Sequence, residues 1–389
     1  MKTQVAIIGG GPAGLLLSQL LNRAGIATIL VEKHSRAHVL ARIRAGVLEQ
    51  STVELMREAG AGARMDREGL PHDGCNLSTA HGMFRVDFSE GCNAQVMVYG
   101  QTELTKDLYD AQDAIGATII DEAEDVALHG VDGDAPSVTF RKNGAPQRID
   151  CDYIAGCDGF HGASRPTIPA GVRHEFEKVY PFGWLGLLSP TRPAAKELIY
   201  ANHPRGFALA SMRSHSLSRY YIQVPSSARV EDWSDEDFWG ELKRRLPASV
   251  AATLEIGPSI EKSIAPLRSF VSEPMRWGRL FIVGDAAHIV PPTGAKGLNL
   301  AASDVRYLYE ALTATILNGD VQALDHYSDR ALTRIWGAMR FSWWMTSLLH
   351  RFPDQSDFDQ KIQESELHQL ETLQSARATM AINYTGLPY

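Results

Sequence analysis

Short, continuous apolar runs of strand length recur along this chain and give its first prediction. Val5-Ala6-Ile7-Ile8 leads into Gly9-Gly10-Gly11-Pro12-Ala13-Gly14 and an apolar helix, and Thr28-Ile29-Leu30-Val31 ends in Glu32. Runs without polar interruption suit buried strands, so the chain should open as strand, helix, strand. Further strands are expected at residues 118–120, 137–140, 152–155 and 280–283, with a turn at Lys142-Asn143-Gly144. Helices are expected at 47–60, closed by Gly60, and at 101–116, with Thr102 a candidate N-cap. Alternation at 84–88 and 95–99 marks an excursion to a second sheet. Residues 184–225 predict antiparallel strands at 198–200, 207–213 and 219–224, with turns at 202–206 and 214–216. Helices should follow at 235–246 and 299–312, and again from about 321, where Phe341-Ser342-Trp343-Trp344-Met345 reads as buried core or a subunit interface.

The 389 residues suffice for two or three domains and a substantial core. A net charge of -8 offers no electrostatic footprint for nucleic acid or an anionic membrane. No apolar run approaches the ~20 residues of a membrane span. Met1-Lys2-Thr3 leads straight into the first strand without a signal-peptide pattern, so a cytoplasmic protein is expected. Cys75, Cys92, Cys151 and Cys157 form no C-x-x-C pair, and the 13 histidines contain no H-E-x-x-H, so reduced thiols and no metal are expected.

Three glycine-rich corners carry candidate chemistry. Gly9, Gly11 and Gly14 have G-x-G-x-x-G spacing after a strand, with Glu32 18 positions beyond Gly14, where a ribose diol needs an acid. Phosphates would sit at the N-terminus of the helix that Pro12 opens. Gly156-Cys157-Asp158-Gly159 forms a second such corner. Gly284-Asp285, followed by Pro291 to Asn299, forms a third, whose helix N-terminus and Lys296 would stabilise an anionic ring. Arg42 and Arg44 point the same way if extended, and are either a solvated face or contacts to a cofactor. Ser211 and Arg213 share a strand face. If Ser211 lies opposite Tyr221, the three converge on a site for a carboxylate; otherwise they are an exposed polar face.

The three corners in this order, with long blocks at 42–50, 99–103, 180–186, 200–209 and 284–304, resemble the aromatic-ring hydroxylases, the single-component flavoprotein monooxygenases. The segment from Lys33 to His38 and residues 73–95 depart from that family. The resemblance implies an α/β fold: a Rossmann-like FAD-binding domain (1–70, 97–175, 271–315), an antiparallel-sheet substrate domain (71–96, 176–270) and a C-terminal helical region (316–389). It implies FAD on Gly9, Gly11, Ala13, Gly14, Glu32, Arg42, Arg44, Ala45, Gly46, Val47, Gln101, Asp158, Arg219, Asp285, Lys296, Leu298 and Asn299. It implies 4-hydroxybenzoate as the phenolic acid substrate, its carboxylate on Arg213 with Ser211 and Tyr221, and its phenol end at Tyr200, Pro292 and Thr293, with Met212 beside it. Tyr200, Tyr384 and His72 would pass the phenol proton to solvent. Lys33, His34, His38, Arg44, His161 and Arg268 would contact NADPH, which is favoured over NADH because no carboxylate follows Glu32 in the basic segment. The implied reaction uses NADPH and O2 through a flavin hydroperoxide, in a homodimer.

Overall fold

The structure is a computed structural model that describes residues 1–41, 46–387 and 389. Among them the strands form four sheets. The first has the order Arg276–Trp277, Leu280–Ile282, Tyr153–Gly156, Val5–Ile8, Thr28–Val31, Thr118–Ile120. It is parallel except for its outermost pair, Arg276–Trp277 with Leu280–Ile282. Leu15 and Leu17 of helix Pro12–Arg23, Leu108 of Gln101–Ala114 and Val305 of Gly297–Asn318 share one core with Val5 and Ile7. Every residue of Val5–Ile8 and Thr28–Val31 is buried, which explains their unbroken apolar character.

The largest sheet has the order His288–Ile289, Glu261–Glu273, His174–Ser189, Leu217–Pro225, Ala208–Ser214, Ile199–Ala201, Gly74–Thr79, Gly82–Asp87. One face carries Tyr220, Ile222 and Val224 against Phe238, Trp239 and Leu242 of helix Asp235–Arg245. The other carries Trp184, Tyr200 and Leu209 against Phe341 and Met345 of helix Tyr327–Leu349 and Tyr384 of helix Gln374–Thr385. The excursion at 84–88 thus joins a second sheet. Val96–Val98 goes to a smaller one, between Val47–Leu48 and Leu70–His72. The positive φ of both Asn143 and Gly144 makes the tight turn of the hairpin Ser137–Lys142 and Ala145–Asp150.

Several expectations are corrected. Residues 47–60 divide into strand Val47–Leu48 and helix Gln50–Glu58. The helix Gln101–Ala114 takes Gly100 as its N-cap residue, and Thr102 lies inside its first turn. Ser211 faces Arg219 across the hairpin while Tyr221 faces Leu209, a register two residues from the one anticipated. Pairing continues to Ser214 and Leu217, closer to the turn than expected, with one extra residue on the first strand between Met212 and Ser214. Ser211, Arg219 and Tyr221 still share one sheet face, because a shift of two residues preserves the side.

The turn between Ile199–Ala201 and Ala208–Ser214 is fixed by a buried carboxylate. Glu241 receives both ends of Arg205 at 2.8 Å and Arg245 Nε at 2.9 Å, while Arg245 Nη1 donates to the carbonyls of Phe207 and Gln223. Burial opposes its charged form, but the two guanidinium groups prevail and hold its carboxyl at about 2, against an ordinary 4.5. At about 1.4 kcal/mol per unit, that depression contributes on the order of 3 kcal/mol of stability. The contribution is complete above pH ~4.5 and disappears as pH falls through the folded value near 2. Glu241→Gln should therefore cost roughly 3 kcal/mol at pH 7, because it strands Arg245 in the interior. In urea titrations the gap between parent and variant should close between pH 4.5 and 2. A gap independent of pH would show that the carboxylate is not charged in the fold.

Candidate active site

The three glycine corners meet at the carboxyl ends of the central parallel strands. Gly9 has φ +108°, and a Cβ there would run into the carbonyl of Cys157, so the first and second corners touch through backbone. A Cβ on Gly14 would strike the Gly9 carbonyl oxygen, and one on Gly284 would lie 3.8 Å from Ala13 Cβ. Glu32 is buried beneath this junction: its carboxylate accepts the Gly10 N–H at 2.6 Å and the His34 N–H at 2.8 Å. Each oxygen keeps a lone pair for a ribose hydroxyl.

The residues present fit a dinucleotide. Gly11 is the N-cap residue of Pro12–Arg23, with φ -76°, and a Cβ built on it meets nothing within 4 Å. Open space thus faces unpaired helix N–H groups, as a pyrophosphate requires. Asp158 Oδ2 accepts the N–H and hydroxyl of Ser164, each at 2.9 Å, while buried Oδ1 has no partner among the described residues. Burial raises the pKa of Asp158 against those bonds. Gly46 and Gln101 are neighbours, since a Cβ on Gly46 would lie 2.9 Å from the Gln101 nitrogen. Arg42, Arg44 and Ala45 lie outside the described residues.

The third corner differs from expectation in how its polar side chains are used. Lys296, 2% exposed, donates to Glu49 Oε1 at 2.6 Å and to the Tyr384 carbonyl at 2.8 Å instead of standing free in the cleft. Burial lowers its pKa, partly opposed by Glu49. Asn299 is equally committed: Oδ1 accepts from the Glu49 N–H and Thr52 hydroxyl, and Nδ2 donates to Val47 and Ala295 carbonyls. What the corner still offers a ligand is backbone, since the N–H groups of Gly297, Leu298 and Asn299 precede the first helical bond, Leu300 to Lys296. Asp285 is partly exposed in the turn Gly284–Ala286. Behind that turn, buried Asp304 accepts the Gly284 N–H at 2.9 Å and pairs with His288 at 2.6 Å. Burial works against charge on His288, but Asp304 outweighs it and raises its pKa. Neither residue of this pair was anticipated, although both lie in the 284–304 block.

A second constellation lies on the face of the large sheet that meets the C-terminal helices. Tyr200, Leu209 and Tyr221 are successive cross-strand partners, with Ser211 and Arg219 in the next row. Buried Nε of Arg213 has no partner among the described residues, and burial pushes its guanidinium below its ordinary pKa despite nearby Tyr221. An incoming carboxylate would satisfy it. Arg219 is instead neutralised by Glu261, bonded to Ser263 at 3.2 Å, and stacked 5.1 Å from the Tyr221 ring. Gly186 makes room for both, since a Cβ there would lie 2.7 Å from Tyr221 and 2.8 Å from Arg219, a requirement no sequence motif signals.

Tyr200 and Tyr384, residues 1% and 2% exposed, meet through their hydroxyls at 2.7 Å. Thr293 is buried and bonded to Thr346 at 2.9 Å, and Pro292 beside it is exposed. His72 Nε2 contacts Met212 Sδ at 3.2 Å, and Nδ1 has no partner among the described residues. A surface cavity of about 410 Å³, lined by Asp73, Asn76, Lys196 and Glu197, reaches His72 from outside.

The residues expected at NADPH come from two stretches, the segment after Glu32 and the surroundings of Phe160, with Arg44 outside the described residues. Lys33 is exposed, and His34 stacks on His38 at 4.2 Å. Arg36 between them is held by both oxygens of Asp113 at 2.6 and 2.7 Å and lies 4.5 Å over Tyr109. A carboxylate therefore does reach the basic segment, from a helix remote in sequence. His161 is exposed at the edge of Phe160, over which Arg268 lies at 4.7 Å while pairing with Glu177 at 3.4 Å. Among the described residues there is no metal-binding cluster and no helix long and apolar enough to cross a membrane.

A family model described as "FAD binding domain" matches residues 2–342. The chain belongs to this family of FAD-binding proteins and is an FAD-dependent aromatic monooxygenase. It is 56% identical over 390 residues to p-hydroxybenzoate hydroxylase of Acinetobacter baylyi, across 100% of this chain and 96% of that protein. An uncharacterized aromatic compound monooxygenase of Bacillus subtilis is 26% identical over 90% of this chain and 69% of its own length. In fold, the chain superposes on p-nitrophenol 4-monooxygenase from Pseudomonas putida with a TM-score of 0.83, covering 100% of both chains at 15% identity.

The open space at Gly11 gives a sharp test. Gly11→Ala needs no backbone strain and meets no protein atom, so flavin-free stability should stay within about 0.5 kcal/mol of the parent. The methyl group would occupy the phosphate approach, and FAD affinity, followed by recovery of flavin fluorescence on release, should fall at least tenfold. Unchanged affinity would place the phosphates elsewhere.

Proposed function

We propose that this monooxygenase hydroxylates 4-hydroxybenzoate at the ring carbon beside the phenol oxygen, giving 3,4-dihydroxybenzoate, with NADPH and O2 as co-substrates. Two observations carry the reading: the buried Nε of Arg213, on strand Ala208–Ser214, has no partner among the described residues, and the buried hydroxyls of Tyr200, on the neighbouring strand, and Tyr384 meet in the apolar cluster beside it. A small molecule with a carboxylate at one end and a phenol at the other answers both. The full-length likeness to the Acinetobacter enzyme supports the same substrate.

FAD, held at Gly9, Gly11, Gly14, Glu32 and Asp158, supplies electron transfer and oxygen activation when bound. The chain supplies binding and proton handling. Arg213, with Ser211 and Tyr221, fixes the carboxylate and so sets which ring carbon is presented. Tyr200 accepts the phenol proton while passing its own to Tyr384, making the ring electron-rich. Burial raises both tyrosines above their ordinary pKa, which suits groups that relay a proton without keeping a negative charge. His72, reached by the cavity, exchanges the proton with solvent. The preference for NADPH rests on Lys33, His34, His38, His161 and Arg268. A cytoplasmic homodimer completes the reading, and exposed Phe176, Trp336 and Trp343 offer an apolar face for it.

The decisive experiment measures NADPH oxidation by the purified flavoprotein with and without 4-hydroxybenzoate, and identifies the product. Substrate-stimulated oxidation with 3,4-dihydroxybenzoate formed is expected; oxidation indifferent to the substrate would overturn the reading. Arg213→Lys keeps the charge but loses the planar fork, and should weaken substrate binding by about 1.5–3 kcal/mol. Tyr200→Phe should still bind substrate but divert most consumed O2 to hydrogen peroxide, measured as peroxide per NADPH. A fully coupled Tyr200→Phe would remove the tyrosines from the proton path.

A further inference from the structure

Glu49, Lys296 and Arg334 form a buried triad where four distant segments meet. Glu49 is the N-cap residue of Gln50–Glu58, Lys296 that of Gly297–Asn318, and Arg334 lies within Tyr327–Leu349. Their exposures are 3%, 2% and 7%. Lys296 Nζ lies 2.6 Å from one Glu49 oxygen and Arg334 Nη2 lies 2.7 Å from the other. Two cations on one carboxylate leave a surplus positive charge in the interior. Backbone carbonyls meet it: Lys296 donates to Tyr384 O at 2.8 Å, and Arg334 Nη1 to Leu387 O.

Those carbonyls end the last helix, Gln374–Thr385, and follow it. Terminal helix carbonyls lack intrahelical partners and carry the negative end of the dipole, so the triad acts as that helix's cationic cap. Gly386 permits the close approach: its φ is +110°, and a Cβ there would run into the Glu49 carboxylate. The same Glu49 reaches the cofactor cleft through its N–H, which donates to Asn299 Oδ1 at 2.9 Å, while Asn299 ties Val47 to Ala295. Arg334 thus grips, through Glu49 and the tail, both the cleft wall and the segment bearing Tyr384.

We propose that Arg334 is a positioning residue that couples occupancy of the FAD cleft to the seating of the last helix, and so to the Tyr200–Tyr384 contact. The proposal rests on the reading of that contact as the start of the proton path. A residue serving stability alone would lower Tm without making the helix respond to FAD or altering ionisation of the bound phenol.

The test uses the FAD-loaded and FAD-free protein, with Arg334→Met, which removes both contacts, and Arg334→Lys, which keeps charge but not the fork. Hydrogen exchange of residues 380–387 should slow at least tenfold in the parent when FAD binds, and lose that dependence in Arg334→Met. In parallel, the ionisation midpoint of bound 4-hydroxybenzoate, titrated by its ultraviolet difference spectrum, should rise by about one pH unit in Arg334→Met, a tenfold loss of phenolate, and less in Arg334→Lys. Exchange at 380–387 indifferent to FAD in the parent overturns the coupling, even if the tyrosine relay stands. Conversely, failure of the relay reading with Tyr200→Phe leaves the exchange result to decide the coupling. If Arg334→Met does not fold, Gly386→Ala, which forces the tail off Glu49, should reproduce both shifts; a parent-like Gly386→Ala overturns the proposal.

Discussion

The close approach of backbone to backbone at the carboxyl ends of Val5–Ile8, Tyr153–Gly156 and Leu280–Ile282 governs this structure. Parallel strands covered on both faces leave their ends as the place where a ligand can reach main-chain groups. Gly9 against Cys157 and Gly14 against Gly9 make that end tight enough for a helix N-terminus to face a phosphate. Glu32 and Asp304 then secure the corners by accepting the N–H groups of Gly10 and Gly284. The large sheet docks onto this assembly through its His288–Ile289 edge, next to the third corner.

What was legible in the chain follows from which constraints are local. A strand buried on both faces must be continuously apolar, and a turn with positive φ asks for glycine, so the first sheet and the glycine corners could be read directly. Other strands answer to no such rule: the edge strand Ala145–Asp150 is mostly exposed, and Glu261–Glu273, second from its sheet's edge, is interrupted by Pro266, so neither carried an apolar signature. The hairpin register was missed because pairing continues to Ser214 and Leu217, through an irregularity after Met212 that no pattern of residue types marks. The tyrosine pair came from family resemblance, because nothing in a local window joins residues 184 positions apart.

The charged side chains show the same limit. Lys296 stands beside a helix N-terminus, where a lysine could serve a ligand or the protein, and its partner Glu49 is 247 positions away. Arg36 looked like part of an open basic patch until folding brought Asp113 to it. In both cases residue type named the chemistry, and the choice of partner belonged to the tertiary fold. Arg213 is the contrast, a cation whose buried Nε the described residues leave without a partner.

Much of the site is shaped by side chains that are missing. Gly9, Gly11, Gly14, Gly46 and Gly186 each reserve a volume that a single methyl group would fill, at a carbonyl, in the ligand's path, or beside Tyr221 and Arg219. Such a site responds to mutation asymmetrically. Trimming a neighbouring side chain leaves the reserved space intact, whereas adding one carbon at any of these five positions closes it. Random substitution can only enlarge a glycine, so variation in this enzyme is channelled away from the cleft floor and toward the partly exposed segments around Lys33 and His161.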